Sequence, residues 1–383
     1  MAKLFGTAAG EEISGGAADD VIKGFGGNDS LWGALGHDLV LGGEGDDLIS
    51  DDKDGGDTLV GGPGFDTFGA FYGTFFGGGP GAIAFTFVAG SSFVSPTGSQ
   101  ASGFERIDMT GSDFDDTITG GSNGDGLRGW QGNDRLDGAR GDDVLIGDNG
   151  ADTLMGGKGE DALRGGGGED QLYGGDGDDT ITGGNISDVF QANDTMVGGR
   201  GADTFRTGPQ RTTIDYQASR EGIYLNLDLG IGYGGDAQGD RVLHGPGGVA
   251  HIIGSGFADY LIGGFELDGG AGDDRLEHGR GTDLLTGGEG VDAFLFRFDK
   301  ATLWEFPTIT DFEQGSEKID LSRIDARGQG GDQAFTFIGT EPSFDKGEVR
   351  YQHQDGQTMI QMSGNFWIFL DGEYELTADD FVL

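Results

Sequence analysis

Residues 129–182 read GWQGNDRLD, GARGDDVLI, GDNGADTLM, GGKGEDALR, GGGGEDQLY, GGDGDDTIT, six nine-residue units in tandem. The period extends back to residue 111. Its aspartate column is Asp116, Asp125, Asp134, Asp143, Asp152, Asp161, Asp170 and Asp179. Two residues after each comes Ile118, Leu127, Leu136, Leu145, Leu154, Leu163, Leu172 or Ile181. Neither column has an exception. A unit this short cannot bury its own apolar side chain, so successive units must stack to make a core. The expected unit is a six-residue turn and a three-residue strand, with Gly at the first, second and fourth places to permit positive φ and close packing. Two units then make one coil, and coils stack at the strand spacing of about 4.8 Å.

This stacking puts Asp116, Asp134, Asp152 and Asp170 in one column and Asp125, Asp143, Asp161 and Asp179 in another. At about 4.8 Å and an effective dielectric of about 20, neighbouring carboxylates repel by about 3 kcal/mol. A cation between them removes that repulsion. The donors on offer are carboxylates and the carbonyls of Gly-rich turns, which suit a hard divalent ion with six or more oxygen ligands. With no Cys and five scattered His, softer metals are disfavoured. Magnesium keeps its waters and demands strict octahedral geometry, so calcium is expected, at about ten sites, one between successive turns of each column. The alternative is a Gly-rich solenoid whose Asp residues cap turns through local hydrogen bonds.

The best-formed unit, Gly174-Gly175-Asp176-Gly177-Asp178-Asp179-Thr180-Ile181-Thr182, matches GGxGxDxUx. The chain here resembles the RTX family, whose nonapeptides bind calcium. The resemblance implies the same cation, Ca2+, and the same fold class: all-β, a calcium-bound parallel β-roll, or β-solenoid.

Three such blocks alternate with β-rich inserts. The first spans residues 1–69, with Asp20, Asp29, Asp38, Asp47, then Asp57 after a one-residue insertion, and Asp66. Its apolar partners are Ile22, Leu31, Val40, Ile49, Leu59 and Phe68. The second spans residues 111–206 and continues past an insertion near residues 185–192 to Asp194 and Asp203. The third, residues 254–296, carries Asp259, Asp274, Asp283 and Asp292. The expected metal ligands are the eight central aspartates with Asp20, Asp29, Asp38, Asp47, Asp66, Asp203, Asp274, Asp283 and Asp292. Near Asp57, Asp194 and Asp268 the register breaks, and regular coordination is not expected. Phe114 and Asn123 replace Gly at the fourth place, so sites at block ends should be weaker. The inserts, residues 70–110 and 207–253, carry strand patterns such as Ile223-Tyr224-Leu225-Asn226-Leu227. They are either binding loops or caps over open roll ends.

Residues 297–383 read as a separate β domain. Asp311-Phe312-Glu313-Gln314-Gly315-Ser316-Glu317-Lys318-Ile319-Asp320-Leu321-Ser322 resembles a motif of the C-terminal domain of serralysin-type proteases. The final Asp380-Phe381-Val382-Leu383 is similar to that family's export terminus. The resemblance implies a Gram-negative source and one-step secretion through a type I apparatus. Consistent with that, residues 1–12 show no basic region followed by an apolar run. The protease half of that architecture is missing: His37, His244, His251, His278 and His353 never form HExxH. Gly120-Gly121-Ser122-Asn123-Gly124 fits GxSxG only inside a repeat, without strand-to-helix context. Asp52-Lys53-Asp54 fails as an EF-hand because Pro63 stands at the twelfth place.

Composition sets the outer limits. A formal charge of −44 repels nucleic acid and anionic membranes and attracts cations. Such a charge with 35% hydrophobic residues points to disorder, whereas the apolar column points to order. Both hold if the chain is unfolded without the cation and folded with it. No apolar run approaches the ~20 residues of a membrane span. The expectation is a secreted, non-enzymatic calcium-binding protein, structural, adhesive or S-layer-like, with self-association or cell-surface polysaccharide as further partners. The alternative is a module for acidic polysaccharide, with a groove around Arg206, Arg211, Tyr216 and Arg220. A membrane-active role ranks third. Phe71, Tyr72, Phe75 and Phe76 form either a sugar-stacking patch or insert packing.

Overall fold

Each residue of the apolar column is a knob that only a neighbouring coil can cover, and the observed register delivers that cover. Leu127 pairs with Leu145 and Leu145 with Leu163, eighteen residues apart each time. On the opposite side Ile118, Leu136, Leu154 and Leu172 pair in the same way. All are essentially buried, a gain of about 2 kcal/mol or more for each side chain. The chain is therefore an all-β parallel roll with coils of two nonapeptides. The computed structural model describes residues 1–52, 56–72, 81–184, 193–208, 211–244, 251–279, 284–297, 306–324, 334–342, 345–362 and 366–383. Among these there is no α-helix, and no helix long and apolar enough to cross a membrane.

The chain forms two compact units, Met1–Met196 and Val197–Leu383. In the first, one sheet stacks Lys3–Phe5, Val21–Gly26, Leu39–Glu44, Thr58–Val60 and Gln100–Ser102 in parallel. A second runs through Glu12–Ser14, Ser30–Trp32, Leu48–Asp51, Thr67–Phe71, Arg106–Thr110 and Gly126–Gln131, and on through the central block to Thr180–Gly184. A third runs from Ala84–Thr86 to Gln171–Asp176. The described strands within residues 70–110 are thus threaded into the roll. Their Arg106–Thr110 lies between Thr67–Phe71 and Gly126–Gln131, and their Ala84–Thr86 pairs with Thr117–Thr119. Phe93 of this segment packs edge-on against Phe68, Phe85 and Phe87, with ring centroids 5.1–5.6 Å apart.

In the second unit, Thr212–Asp215 pairs in parallel with His251–Ile253, and Tyr224–Asn226 with Tyr260–Ile262. The roll then runs on into the C-terminal segment. Thr308–Ile309 joins Leu284–Thr286, and Lys318–Asp320 joins Ala293–Leu295. Beyond it Glu348–Gln354, Gln357–Met362 and Phe366–Asp371 form an antiparallel sheet. The last strand, Phe381–Val382, pairs in parallel with Lys318–Asp320. Phe381 is buried while Val382 is exposed, the alternation of a half-buried edge strand.

Candidate metal centres

Burial of the aspartate column follows from the strand two residues on. With Leu or Ile fixed inward, the preceding turn folds over the roll edge and carries the carboxylate inside. Every described column aspartate is at most 4% exposed. One oxygen of each is fixed. The Asp116 N–H donates to Asp134 Oδ1, Asp134 to Asp152 and Asp152 to Asp170, at 2.8–2.9 Å. The other column runs in the same sense through Asp125, Asp143, Asp161 and Asp179, at 2.6–2.8 Å. The first block repeats the ladder through Asp20, Asp38 and Asp57, and through Asp29, Asp47 and Asp66. In the second unit it joins Asp259 to Asp274 and Asp274 to Asp292. Asp283 lies outside the described residues.

The second oxygen has two fates. At Asp20, Asp116, Asp125 and Asp259, Oδ2 accepts the N–H four residues upstream, at 2.5–2.9 Å. These are the first coils of their stacks, and there the local turn cap is realised. At Asp29, and deeper in the stacks at Asp38, Asp47, Asp66, Asp134, Asp143, Asp152, Asp161, Asp170 and Asp274, Oδ2 is buried without a hydrogen-bond partner. A buried carboxylate oxygen left unpaired is costly.

The glycine at the first place of each unit explains where that oxygen points. A Cβ built on Gly147 would lie 2.2 Å from Asp152 Oδ2 and 2.7 Å from the Gly165 carbonyl oxygen. Gly129 stands in the same relation to Asp134 and the Gly147 carbonyl, and Gly165 to Asp170. Carboxylate and carbonyl oxygens therefore converge beside the first-place Cα. Of the two expected reasons for glycine, positive φ and close packing, not all three places serve positive φ. Gly132, Gly141, Gly150 and Gly159 at the fourth place do so, and the second place does so even with Trp130 (φ 88) or Asp148 (φ 75). The first place needs Gly for space alone.

Both observations fit a bound cation. The donor set is all oxygen, which suits calcium. Among the described residues no three His, Cys, Asp or Glu side chains converge, so backbone carbonyls would have to complete the shell, as Gly-rich turns allow. The column aspartates would hold the ion, and the ion would supply the positive charge these carboxylates lack.

Electrostatics agree. Burial pushes Asp143 and Asp170 up to about 8, and Asp134 and Asp274 to about 7, with neighbouring column carboxylates adding to the rise. Asp57, Asp66, Asp152 and Asp194 reach about 6, again chiefly by burial. Asp20 at the roll edge is instead lowered by the Ala2 and Gly16 N–H groups. Because these raised values exceed the ~3.9 of an unfolded aspartate, the metal-free fold binds more protons than the unfolded chain. Its stability is present below about pH 4 and is lost as pH rises through about 6 to 8.

The structure also places residues that the nine-residue period does not reveal. The Asp38 N–H donates to Asp57 at 2.8 Å, and the Asp170 N–H to Asp194 at 3.2 Å. The ladder thus crosses both insertions where regularity was not expected. Asp268 accepts from Gly270 in its own turn and stays outside the ladder. Glu105 takes an aspartate's place, accepting from the Asp66 N–H, and Asp240 accepts from Asp203. Glu317 is buried beside Asp292, and burial pushes it up to about 8. A second ladder uses the residue before the column: the Asn133 N–H donates to Asp115, Ala151 to Asn133 and Glu160 to Asp142, at 2.8–2.9 Å. Its signal was the Asp-Asp and Asn-Asp doublets. Among the other candidates, Tyr216 is buried with its hydroxyl on Asp240 Oδ2, so it cannot line an open groove with Arg206, Arg211 and Arg220. Phe75 and Phe76 lie outside the described residues.

The sequence matches the RTX calcium-binding nonapeptide repeat (4 copies) over residues 5–40, 51–68, 110–145, 131–163, 146–181, 156–189 and 190–211. It matches the Peptidase M10 serralysin C terminal over residues 249–383, a span that takes in the third block as well as the C-terminal segment. No curated protein matches the chain.

Proposed function

The chain is an RTX protein with a serralysin-type C-terminal domain, and on that premise we propose that it is exported unfolded and folds on calcium outside the cell. The residues proposed to hold the ions are the column aspartates named above, with Asp57 and Asp194 now added. The single observation that carries this reading is the column of buried carboxylates, in which residues such as Asp134, Asp143 and Asp152 have one oxygen tied to a neighbouring coil and the other unpaired beside a glycine carbonyl. Such an array is tolerable in a calcium-rich exterior and penalised where calcium is scarce, which gives export and folding one switch. The proposed route is a type I apparatus reading the C-terminal segment, in a Gram-negative bacterium.

The proposed role is non-enzymatic, as a structural or adhesive component of the cell surface or matrix. Its support is that the roll and its edge strands occupy the described chain and that the acidic surface offers carboxylates that calcium can bridge between molecules. Size-exclusion chromatography with light scattering, on protein already saturated with calcium, tests the role. Growth from monomer to dimers or larger assemblies as calcium rises further is expected. A strictly monomeric species at every calcium level would contradict an assembling surface protein.

A further inference from the structure

On the outer face of the second sheet of the first unit, away from the aspartate ladder, lies a cavity of about 690 Å³. That is the volume of a small-molecule site. Strand register builds it. Trp32, Ser50, Gly69 and Asp108 stand in one cross-strand row over four neighbouring strands. Gly69, in the middle of that row, has no side chain, and the gap opens the floor. A Cβ there would meet Leu48 Cδ1 and Ser50 Oγ at 3.2 Å. Trp32, Leu35, Leu48 and Phe71 form apolar walls, and all four are exposed, Trp32 by 49%.

The polar lining is one-sided. Asp52 and Asp108 line this cavity, and among the described residues no Lys, Arg or His does. A neutral sugar would bring acceptors as well as donors, and the lining offers acceptors with Ser50 as the sole hydroxyl among the described residues. A bare metal ion would gain nothing from four apolar walls. An aliphatic chain carrying ammonium groups satisfies both surfaces: methylenes against Trp32, Leu35, Leu48 and Phe71, and N–H donors to the carboxylates, with the indole face adding cation–π attraction.

We propose that this cavity is a binding site for a linear aliphatic polyamine. The site is independent of the calcium ladder, since neither Trp32 nor Asp108 belongs to it.

Isothermal titration calorimetry of the full-length, calcium-saturated protein with spermidine, at about 0.15 M salt to screen the diffuse acidic field, tests it. Saturable binding at one site is expected. Trp32→Ala and Asp108→Asn are each expected to weaken it at least about tenfold, which is 1.4 kcal/mol, with circular dichroism and calcium uptake unchanged. Maltose, as a neutral probe, is expected to give no heat. Equal spermidine binding by wild type and both variants would overturn the proposal, as would a non-saturating heat alone. Release of calcium in step with spermidine uptake would also overturn it, because the amine would then be competing for the ladder. Saturable maltose binding without spermidine binding would assign the cavity to a sugar instead. Since the wild type is titrated already folded, a failure here leaves calcium-driven folding untouched.

Discussion

Stripped of calcium by a chelator at pH 8, the chain loses its β-roll. The expected signature is loss of the β-sheet circular dichroism signal and a radius of gyration growing by up to about threefold, the span between compact and unfolded chains of this length. The cause is the array of buried carboxylates. At pH 8 the metal-free fold must either ionise Asp134, Asp143, Asp170 and Asp274 against burial and neighbouring carboxylates or take up protons that the unfolded chain does not need. No disulfide compensates, because the chain has no cysteine. Calcium reverses the balance by mass action: each site kept at a hundred times its Kd adds about 2.7 kcal/mol. The pH dependence has a definite sign. The raised values favour the protonated metal-free fold, so lowering the pH to about 5 in chelator restores compactness, helped by the shrinking net charge. A chain that stays folded in chelator at pH 8, or that is less compact at pH 5 than at pH 8, contradicts the electrostatic account.

Gly150→Ala is expected to be among the most damaging single substitutions. Gly150 has φ +138, and a Cβ there would sit 1.7 Å from the carbonyl oxygen of Gly132. That atom is backbone in the adjacent coil, so it cannot turn aside as a side chain would. The Gly150 N–H also donates to the Gly167 carbonyl at 2.7 Å, so the residue is clamped from both coils. The expected loss is about 3–5 kcal/mol, at the upper end for one residue, with a fall in the melting temperature of calcium-loaded protein of about 10 °C. Gly256→Ala is the matched control. Nothing lies within 4 Å of a Cβ at Gly256, so its effect should stay within about 0.5 kcal/mol. Equal melting temperatures for the two variants would show that coils are not packed at the fourth place as described.

The roll itself was legible because period and chemistry coincide. An aspartate and an aliphatic residue at fixed offsets give the coil length, the inward face and the two carboxylate columns, and Leu127, Leu145 and Leu163 stack as that reading requires. What the sequence hid is what a period cannot carry. Insertions before Asp57 and Asp194 shift the numbering yet leave the ladder in register, and lengthening a loop costs little entropy. Glu105 replaces an aspartate with a longer carboxylate, and Asp240 is reached from Asp203 across the Thr212–Asp215 and Tyr224–Asn226 strands. The role of the first-place glycine was also hidden. Glycine looks the same in sequence whether it is there for φ or for space, and only the position of Asp152 Oδ2 beside Gly147 separates the two. The cavity beside Trp32 depends on which residues fall in one cross-strand row, which follows only once Ser50, Gly69 and Asp108 are paired.

The measurement that bears most directly on calcium binding by the aspartate columns is an anomalous difference map from crystals grown in calcium. The expected map has a peak between successive coils along each column, beside the Oδ2 atoms of Asp134, Asp143, Asp152, Asp161 and Asp170, about ten in all across the chain. A folded roll whose map shows no peaks along these columns would contradict the account.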